Sequence, residues 1–276
     1  MTTMIKADSL SVGYENKTIL TDVSFEIGRG ELVGIVGPNG AGKSTLMKTL
    51  RALIEKRGGR VEIAGVDSTE MTERMYAHKV AYLQQQVELS FGYTGRELVL
   101  TGRYPYMKWW QSESEEDKRI AQLCMHYTGV TNLADVPVNA VSGGQRQRIL
   151  LAKVLAQQTP ILFLDEPTTG LDMVYQEEIF RFAKRLCEAG KTIVMVVHEL
   201  PLAARFCSRL LLVGNGTILA DGTPKEVIRE DVLTEAYHVP IAVIHHDDTD
   251  SIEVRMKRGA IEEADDEVIR TICGDV

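Results

Sequence analysis

A short glycine-rich segment carries the strongest chemical signal in the sequence. Residues 37–44 satisfy the pattern G-x-x-x-x-G-K-[ST]. Glycines let consecutive backbone N–H groups curl round phosphate groups, and a following helix adds the positive end of its dipole. We expect Lys43 to reach the β- and γ-phosphates of a nucleotide and the Ser44 hydroxyl to bind Mg²⁺. The alternative is a glycine turn before an ordinary helix. The residues predicted to surround the phosphates are Gly37, Pro38, Asn39, Gly40, Ala41, Gly42, Lys43, Ser44 and Thr45.

Two adjacent carboxylates end a predicted buried strand. The apolar run Ile161–Leu164 is followed directly by Asp165 and Glu166. Carboxylates at such a place need a cation or a proton-transfer role to offset their lost hydration. We expect Asp165 to lie in the Mg²⁺ shell through water, and Glu166 to polarise an attacking water. The alternative is an acidic pair that caps the next segment.

A second glycine motif, Ser142-Gly143-Gly144-Gln145, precedes a predicted helix from Arg146 to about Gln157. The serine stands at the N-cap position and the glycines expose the helix N-terminus, which favours a second anion site. In one compact chain this site and the first loop cannot easily share a phosphate, so the motif suggests two chains that face each other. An ordinary capped helix is the alternative.

The predicted strands and helices must position the glycine-rich segments and the two carboxylates. The short apolar runs are typical of strands buried on both faces, and their alternation with helices predicts a mostly parallel sheet. The predicted strands are Ile5 to Val12, Thr18 to Ile27, Leu32–Val36, Val61–Ile63, Val80–Leu83, Ile161–Leu164 and Thr192–Val197. Further predicted helices are Lys43 to about Leu53, Glu113–Tyr127, and Met173 to about Ala189, which Gly190 ends.

Composition limits the classes of protein. With 276 residues, 44% of them hydrophobic, the chain can bury one substantial core with an inserted or appended subdomain. A net charge of −8 argues against nucleic-acid binding by bulk electrostatics. No long apolar run or secretory leader is evident, so we expect a cytoplasmic location. Four widely spaced cysteines, without a C-x-x-C pattern, are expected to be reduced and mostly buried.

Together these motifs resemble those of the nucleotide-binding subunits of ABC transporters. The match runs over about residues 5–240 and includes the segment Thr169–Asp172 and His198, which follows the next predicted strand. The resemblance implies ATP and Mg²⁺ as cofactors. It also implies a homodimer in which each phosphate loop faces the partner's Ser142–Gln145 motif across a shared ATP.

The same resemblance assigns further roles. Tyr14 matches the aromatic residue that stacks on adenine, with a plain turn aromatic as the alternative. Gln85 matches the glutamine that touches Mg²⁺ and the water, although Gln84 and Gln86 remain open. His198 matches the histidine that contacts the γ-phosphate, with a core histidine as the alternative.

The resemblance implies an active ATPase. Val141 replaces a usual leucine and Thr169 a frequent serine, but neither change removes a needed polar group. The predicted catalytic residues are Glu166, His198, Gln85 and Lys43. The predicted metal-binding residues are Ser44, Gln85 and Asp165, and further nucleotide contacts are Ser142, Gly143, Gly144, Gln145 and Asp172.

The predicted fold is α/β, a P-loop NTPase core with a mixed, mostly parallel sheet, an N-terminal antiparallel β-subdomain and an inserted helical subdomain. Residues 1–88 and 151–240 are assigned to the core, 89–150 to the helical subdomain and 241–276 to an acidic extension. In that extension, His245 and His246 suggest a metal site or, alternatively, a solvated loop. The alternating residues Ile252–Met256 predict a strand.

Two classes of ABC protein compete: the motor of a transporter and a soluble ATPase of DNA repair or translation. The short distance between the two glycine motifs leaves no room for a repair-type coiled coil, and a single cassette argues against a translation factor. The pattern Gly102-Arg103-Tyr104-Pro105-Tyr106 resembles importer ATPases for iron-siderophore, haem and cobalamin complexes. That implies separate permease subunits, an indirect partnership with a substrate-binding protein, no nucleic acid, and a place at the cytoplasmic face of the membrane.

Aromatic residues after that pattern are candidates for a permease-docking groove, with packing inside the helical subdomain as the alternative. These residues are Tyr104, Tyr106, Met107, Trp109 and Trp110. The cargo, an export direction and the role of the acidic extension stay open.

Overall fold

The computed structural model describes residues 2–14, 17–84, 92–246 and 251–257. Within these residues, strands β1 to β12 are, in order, Thr3–Tyr14, Lys17–Gly28, Leu32–Val36, Gly58–Ile63, Val66–Asp67, Val80–Leu83, Ile161–Asp165, Thr192–Val196, Arg209–Gly214, Thr217–Gly222, Ile241–His246 and Ser251–Met256. Helices α1 to α9 are Lys43–Leu50, Glu73–Lys79, Gly95–Leu100, Glu115–Tyr127, Gly143–Ala156, Met173–Glu188, Leu200–Phe206, Pro224–Val227 and Glu230–Tyr237.

The central sheet has the strand order β10-β9-β3-β8-β7-β6. Neighbouring strands are parallel throughout, except that β10 runs antiparallel to β9. Every residue of β3, β7 and β8 is buried, as expected for apolar strands covered on both faces. Because parallel strands end at the same edge, the segments after β3, β8 and β7 lie side by side. The predicted mixed, mostly parallel sheet is confirmed.

A second sheet, with strand order β2-β1-β4-β5, is antiparallel. In β2, Val23, Phe25 and Ile27 are buried while the residues between them are exposed. These side chains pack in one apolar cluster with Leu46 of α1 and Ile35 of β3. The N-terminal sheet therefore covers the helix that follows the glycine-rich loop.

Three helices, α3, α4 and α5, pack against one another between β6 and β7 in the chain. Three predicted helix boundaries were wrong. Helix α4 begins at Glu115 because Ser114 caps it. Helix α5 begins at Gly143, since the cap at Ser142 compensates for two poor helix formers. Helix α1 ends at Leu50, and Ala52 adopts a positive φ of 58°.

The described part of the C-terminal extension is an antiparallel hairpin, β11 and β12, so the predicted strand at Ile252–Met256 is confirmed. Ile241 is buried, and the backbone N–H of Val243 donates to Glu230 of α9. Strand β12 lies against α7. The hairpin is thus packed onto the core.

Cys187 and Cys207 are buried free thiols and Cys124 is a half-buried one, while Cys273 lies outside the described residues. Among the described residues, no helix is both long enough and apolar enough to cross a membrane.

Candidate nucleotide site

The glycine-rich loop joins β3 to α1, and its backbone could not accept larger residues everywhere. Gly37 has a φ of 138°, and a Cβ there would lie 2.0 Å from the carbonyl oxygen of Val213. Gly42, the N-cap of α1, has a φ of 103° and supplies no side-chain cap. The N-terminal turn of α1 therefore opens on a cleft, where its N–H groups and dipole can receive an anion.

The Lys43 side chain folds back over this loop. Its Nζ donates to the carbonyl oxygens of Gly37 and Pro38, at 2.8 and 2.9 Å. Burial lowers the pKa of Lys43, although the charges of Glu166 and Asp165 oppose that change. The carbonyl oxygens of the loop hold the ammonium group in place. A bound phosphate could replace these carbonyl oxygens as the hydrogen-bond acceptor of Lys43.

Asp165 ends β7 with its carboxylate almost fully buried, at 1% exposure. The Ser44 hydroxyl donates to its Oδ1 at 2.8 Å, and the Tyr82 hydroxyl donates to its Oδ2 at 2.9 Å. Burial raises the pKa of Asp165, and the two hydrogen bonds act in the opposite direction. Ser44 and Asp165 are hard oxygen donors in contact, a pair that fits Mg²⁺.

Tyr82 did not emerge from the sequence reasoning. A hydroxyl-bearing aromatic inside an otherwise apolar strand was the available signal, because a buried tyrosine hydroxyl generally needs a partner.

Glu166 follows β7 in a left-handed conformation, with a φ of 49° that is uncommon outside glycine. Its Oε1 lies 2.7 Å from Nε2 of His198, and its Oε2 accepts from the Thr169 hydroxyl at 3.1 Å. Burial acts to raise the pKa of Glu166, but the contacts with His198 and Thr169 outweigh it and lower that pKa. The carboxylate is therefore ionised near neutral pH and able to accept a proton.

Lys43, Ser44, Glu166 and His198 line one cleft of about 730 Å³, and Asp165 contacts this cleft through Ser44. Its lining residues are Ile19, Asn39, Gly40, Gly42, Lys43, Ser44, Thr45, Glu166, Thr169, Gly170, His198 and Glu199. A phosphate-binding loop thus faces a carboxylate and an imidazole from two neighbouring strands. This arrangement can hold a nucleotide phosphate and direct a water at it.

The sequence pattern of the family described as ABC transporter matches residues 20–169. This chain belongs to that family. It is 37% identical over 241 residues to the iron(3+)-hydroxamate import ATP-binding protein of Bacillus subtilis, covering 87% of this chain and 90% of that protein. It is 37% identical to a hemin import ATP-binding protein of Rhodococcus jostii, covering 92% of this chain and 86% of the relative.

Solved structures give the same result for the fold. A metal-chelate type ABC transporter in an inward-facing conformation has a TM-score of 0.79 at 22% identity, with 92% of this chain and 97% of that chain covered. A dimeric bacterial ABC transporter cassette has a TM-score of 0.73 at 29% identity, with 80% and 99% covered. The chain is an ATP-binding cassette with the fold of this family.

The Ser142–Gln145 motif of the ABC cassette lies outside the cleft lining. Ser142 caps α5 reciprocally: its Oγ accepts from the N–H of Gln145, whose Oε1 accepts from the N–H of Ser142. An added Cβ at Gly143 would meet nothing within 4 Å. The helix terminus is exposed at Ser142 and Gly143, whereas a Cβ at Gly144 would lie 3.2 Å from the Leu171 side chain.

Hydrogen bonds link helix α5, which the Ser142–Gln145 motif begins, to the segment that contains Glu166. Gln147 of α5 donates its Nε2 to the carbonyl oxygen of Pro167, directly after Glu166. Thr168 donates its hydroxyl to Glu199, the neighbour of His198. Helix α5 and the segments after β7 and β8 are therefore one connected unit.

Of the other predicted site residues, Tyr14 and Asp172 lie outside the lining of the cleft. Tyr14 is half exposed at the end of β1 and does not line the phosphate cleft. Asp172 caps α6 by accepting from the N–H groups of Val174 and Tyr175. Gln85 lies outside the described residues.

Proposed function

We propose that this chain hydrolyses ATP with Mg²⁺ to drive import of a metal chelate, an iron-siderophore or haem complex, through separate permease subunits. The observation that carries the ATPase proposal is the single cleft shared by Lys43, Ser44, Glu166 and His198. The import proposal is supported by the relatives named for iron-hydroxamate and hemin import. Cobalamin, a related cargo, remains the alternative within this class.

Glu166 is the proposed general base. Its low pKa keeps it ionised, and His198 orients it from one side while Thr169 does so from the other. Lys43 holds the phosphates, and the backbone of residues 37–45 surrounds them. His198 and Gln85 complete the proposed catalytic set.

The proposed protein ligands of Mg²⁺ are Ser44, Gln85 and, through water, Asp165. Within the described residues no cluster of three His, Cys, Asp or Glu side chains could hold a metal alone. Phosphate and water oxygens would therefore complete the shell, as Mg²⁺ prefers. When bound, the ion neutralises charge that develops on the phosphates.

Two copies of the chain form the proposed working unit. Ser142, Gly143, Gly144 and Gln145 of one copy would close over the phosphate bound by the loop of the other. The open face at Gly143 supports this arrangement. Tyr14 would stack on adenine, and Asp172 would contact the nucleotide. We retain the proposed division into a core of residues 1–88 and 151–240, a helical subdomain of 89–150 and an extension of 241–276.

The proposed docking surface for the permease is the exposed aromatic pair after the Gly102–Tyr106 pattern. Trp109 is 91% exposed and Trp110 65%. Tyr106, by contrast, stacks under Arg103 and donates to the carbonyl oxygen of Gln157, so it serves packing. Docking would place the subunit at the cytoplasmic face of the membrane, with a substrate-binding protein as an indirect partner.

Glu166→Gln tests the ATPase proposal. We expect the purified variant to bind ATP but to lose Mg²⁺-dependent phosphate release, because the amide cannot accept the water proton. Glu188→Gln, an exposed change at the end of α6, is the matched control. Wild-type protein without Mg²⁺-dependent hydrolysis at high protein concentration would overturn the proposal.

Uptake into vesicles tests the import proposal. The complex of this subunit with its permease should transport radioactive ferric hydroxamate or hemin only when ATP is supplied on the side of the membrane where this subunit lies. Replacing Trp109 and Trp110 together by serine should abolish uptake while the isolated subunit keeps its ATPase activity. Uptake that survives the double substitution would refute the docking surface.

A further inference from the structure

Tyr82 is a polar exception in strand β6. Its neighbours Val80, Ala81 and Leu83 are buried apolar residues. Parallel pairing sets Tyr82 opposite Phe163 of β7, so Tyr82, Phe163 and Asp165 share one face of the sheet. Asp165 lies two residues further along β7, about 6.6 Å at the usual strand rise. The tyrosine side chain reaches along this direction, and its hydroxyl meets the carboxylate.

The Asp165 carboxylate is held from both sides. The Tyr82 hydroxyl donates to Oδ2 at 2.9 Å, while the Ser44 hydroxyl donates to Oδ1 at 2.8 Å. Rotation of the carboxylate would break both hydrogen bonds of a residue that is only 1% exposed. Such charge-assisted bonds are short and strong, and their geometry fixes the plane of the acceptor. Tyr82 therefore helps to fix the plane of the Asp165 carboxylate and the direction of the oxygen that meets Ser44.

In this hydrogen bond the Tyr82 hydroxyl is the donor and the Asp165 carboxylate is the acceptor. Tyr82 also stands two residues before Gln84, where β6 has ended. The hydrogen bond consequently ties the end of this strand to the Ser44–Asp165 pair.

We propose that Tyr82 is a positioning residue for metal binding: it holds the Asp165 carboxylate in the orientation that presents one oxygen to Ser44 and to the divalent cation of bound ATP. This inference rests on the proposed function. Tyr82 touches neither nucleotide nor metal in this role and acts only through Asp165.

Binding of Mn²⁺ with ATP, followed by the electron paramagnetic resonance signal of free Mn²⁺, measures this effect without turnover. In a Glu166→Gln background, Tyr82→Phe should weaken Mn²⁺ binding to the ATP-loaded protein at least fivefold. ATP binding in the presence of EDTA should stay within twofold. Tyr237→Phe, the same chemical change in a half-buried tyrosine of α9, is the matched control and should leave both affinities unchanged.

A double-mutant cycle separates positioning from a general structural effect. In an Asp165→Asn background, Tyr82→Phe should no longer change Mn²⁺ affinity. Unchanged Mn²⁺ affinity in the single variant would overturn the proposal, as would an effect of the same size in the Asp165→Asn background. Absence of hydrolysis by wild-type protein would instead refute the proposed function, so the two failures are distinguishable.

Discussion

Nε2 of His198 and Oε1 of Glu166 are 2.7 Å apart, and this contact joins the segments that follow two neighbouring strands, β8 and β7. It holds the carboxylate of a residue whose backbone already adopts a left-handed conformation. The pair also lies in the same cleft as Lys43 and Ser44. The orientation of the proposed base therefore depends on a residue from another strand.

His198→Ala should reduce ATP hydrolysis by about tenfold or more, because a loosely held base loses much of its contribution. ATP affinity should change less than about threefold, since the loop and Lys43 supply most phosphate contacts. Phosphate release and nucleotide titration measure the two effects. His126→Ala, an exposed change on α4, is the control, and equal losses in both variants would contradict the prediction.

Gly143→Ala distinguishes a capped helix from a site completed by a second copy. The added methyl group meets nothing within 4 Å, so the free energy of unfolding should stay the same or rise by up to about 1 kcal/mol. Hydrolysis should nevertheless fall severalfold, because the methyl group would intrude on the partner's nucleotide. Urea unfolding and a rate measured against protein concentration test this. Full activity would argue against the composite site.

Gly37→Ala should impair the loop itself. Its Cβ would lie 2.0 Å from the carbonyl oxygen of Val213, a separation that forces the backbone to move. We expect loss of ATP binding, measured by nucleotide titration, and a lower melting temperature. Gly40→Ala is the comparison. At Gly40 the φ of 78° should cost an alanine about 1 to 2 kcal/mol of folding free energy, but the added Cβ would meet no atom within 4 Å. The loss of stability and of ATP binding should therefore be smaller than in Gly37→Ala.

Arg103 and Asp117 form a buried ion pair, with Nε and Oδ1 2.9 Å apart and side chains 7% and 10% exposed. Arg103 also donates to the carbonyl oxygen of Ala156 at the end of α5. Asp117→Ala should lower the free energy of unfolding by about 3 to 5 kcal/mol, since it leaves a buried charge unpaired. Asp135→Ala, which breaks an exposed pair with Arg96, should cost about 1 kcal/mol or less.

Ile241→Ala tests whether the C-terminal hairpin belongs to the folded core. Ile241 is 5% exposed, and its removal should cost about 2 to 5 kcal/mol in urea unfolding. Met256, its cross-strand partner, is 55% exposed, so Met256→Ala should cost no more than about 0.5 kcal/mol. Equal, small effects would mean that the hairpin contributes little to stability.

Local patterns in the sequence determined the loop at residues 37–45, the strand that ends at Asp165 and the cap at Ser142. Each depends on neighbours in the chain: glycines for unusual backbone angles, an apolar run for a buried strand, and a hydroxyl before a helix. The predicted helix start at Arg146 was wrong, because the cap at Ser142 lets the helix begin at Gly143 in spite of glycine's poor helix propensity. Helices α2, α7, α8 and α9 and strands β5, β9, β10 and β11 were not predicted. The four helices have only four to eight residues, too few to show a helical hydrophobic period.

Only the tertiary structure decided which of these groups touch. The strand order β3-β8-β7-β6 sets His198 beside Glu166 and Tyr82 beside Asp165, whereas chain order separates each pair. Strand order and register arise from long-range packing of apolar faces, which no local pattern specifies. The sequence therefore predicted the phosphate loop and the carboxylates Asp165 and Glu166. The order and register of the strands determine that Tyr82 and His198 contact those carboxylates.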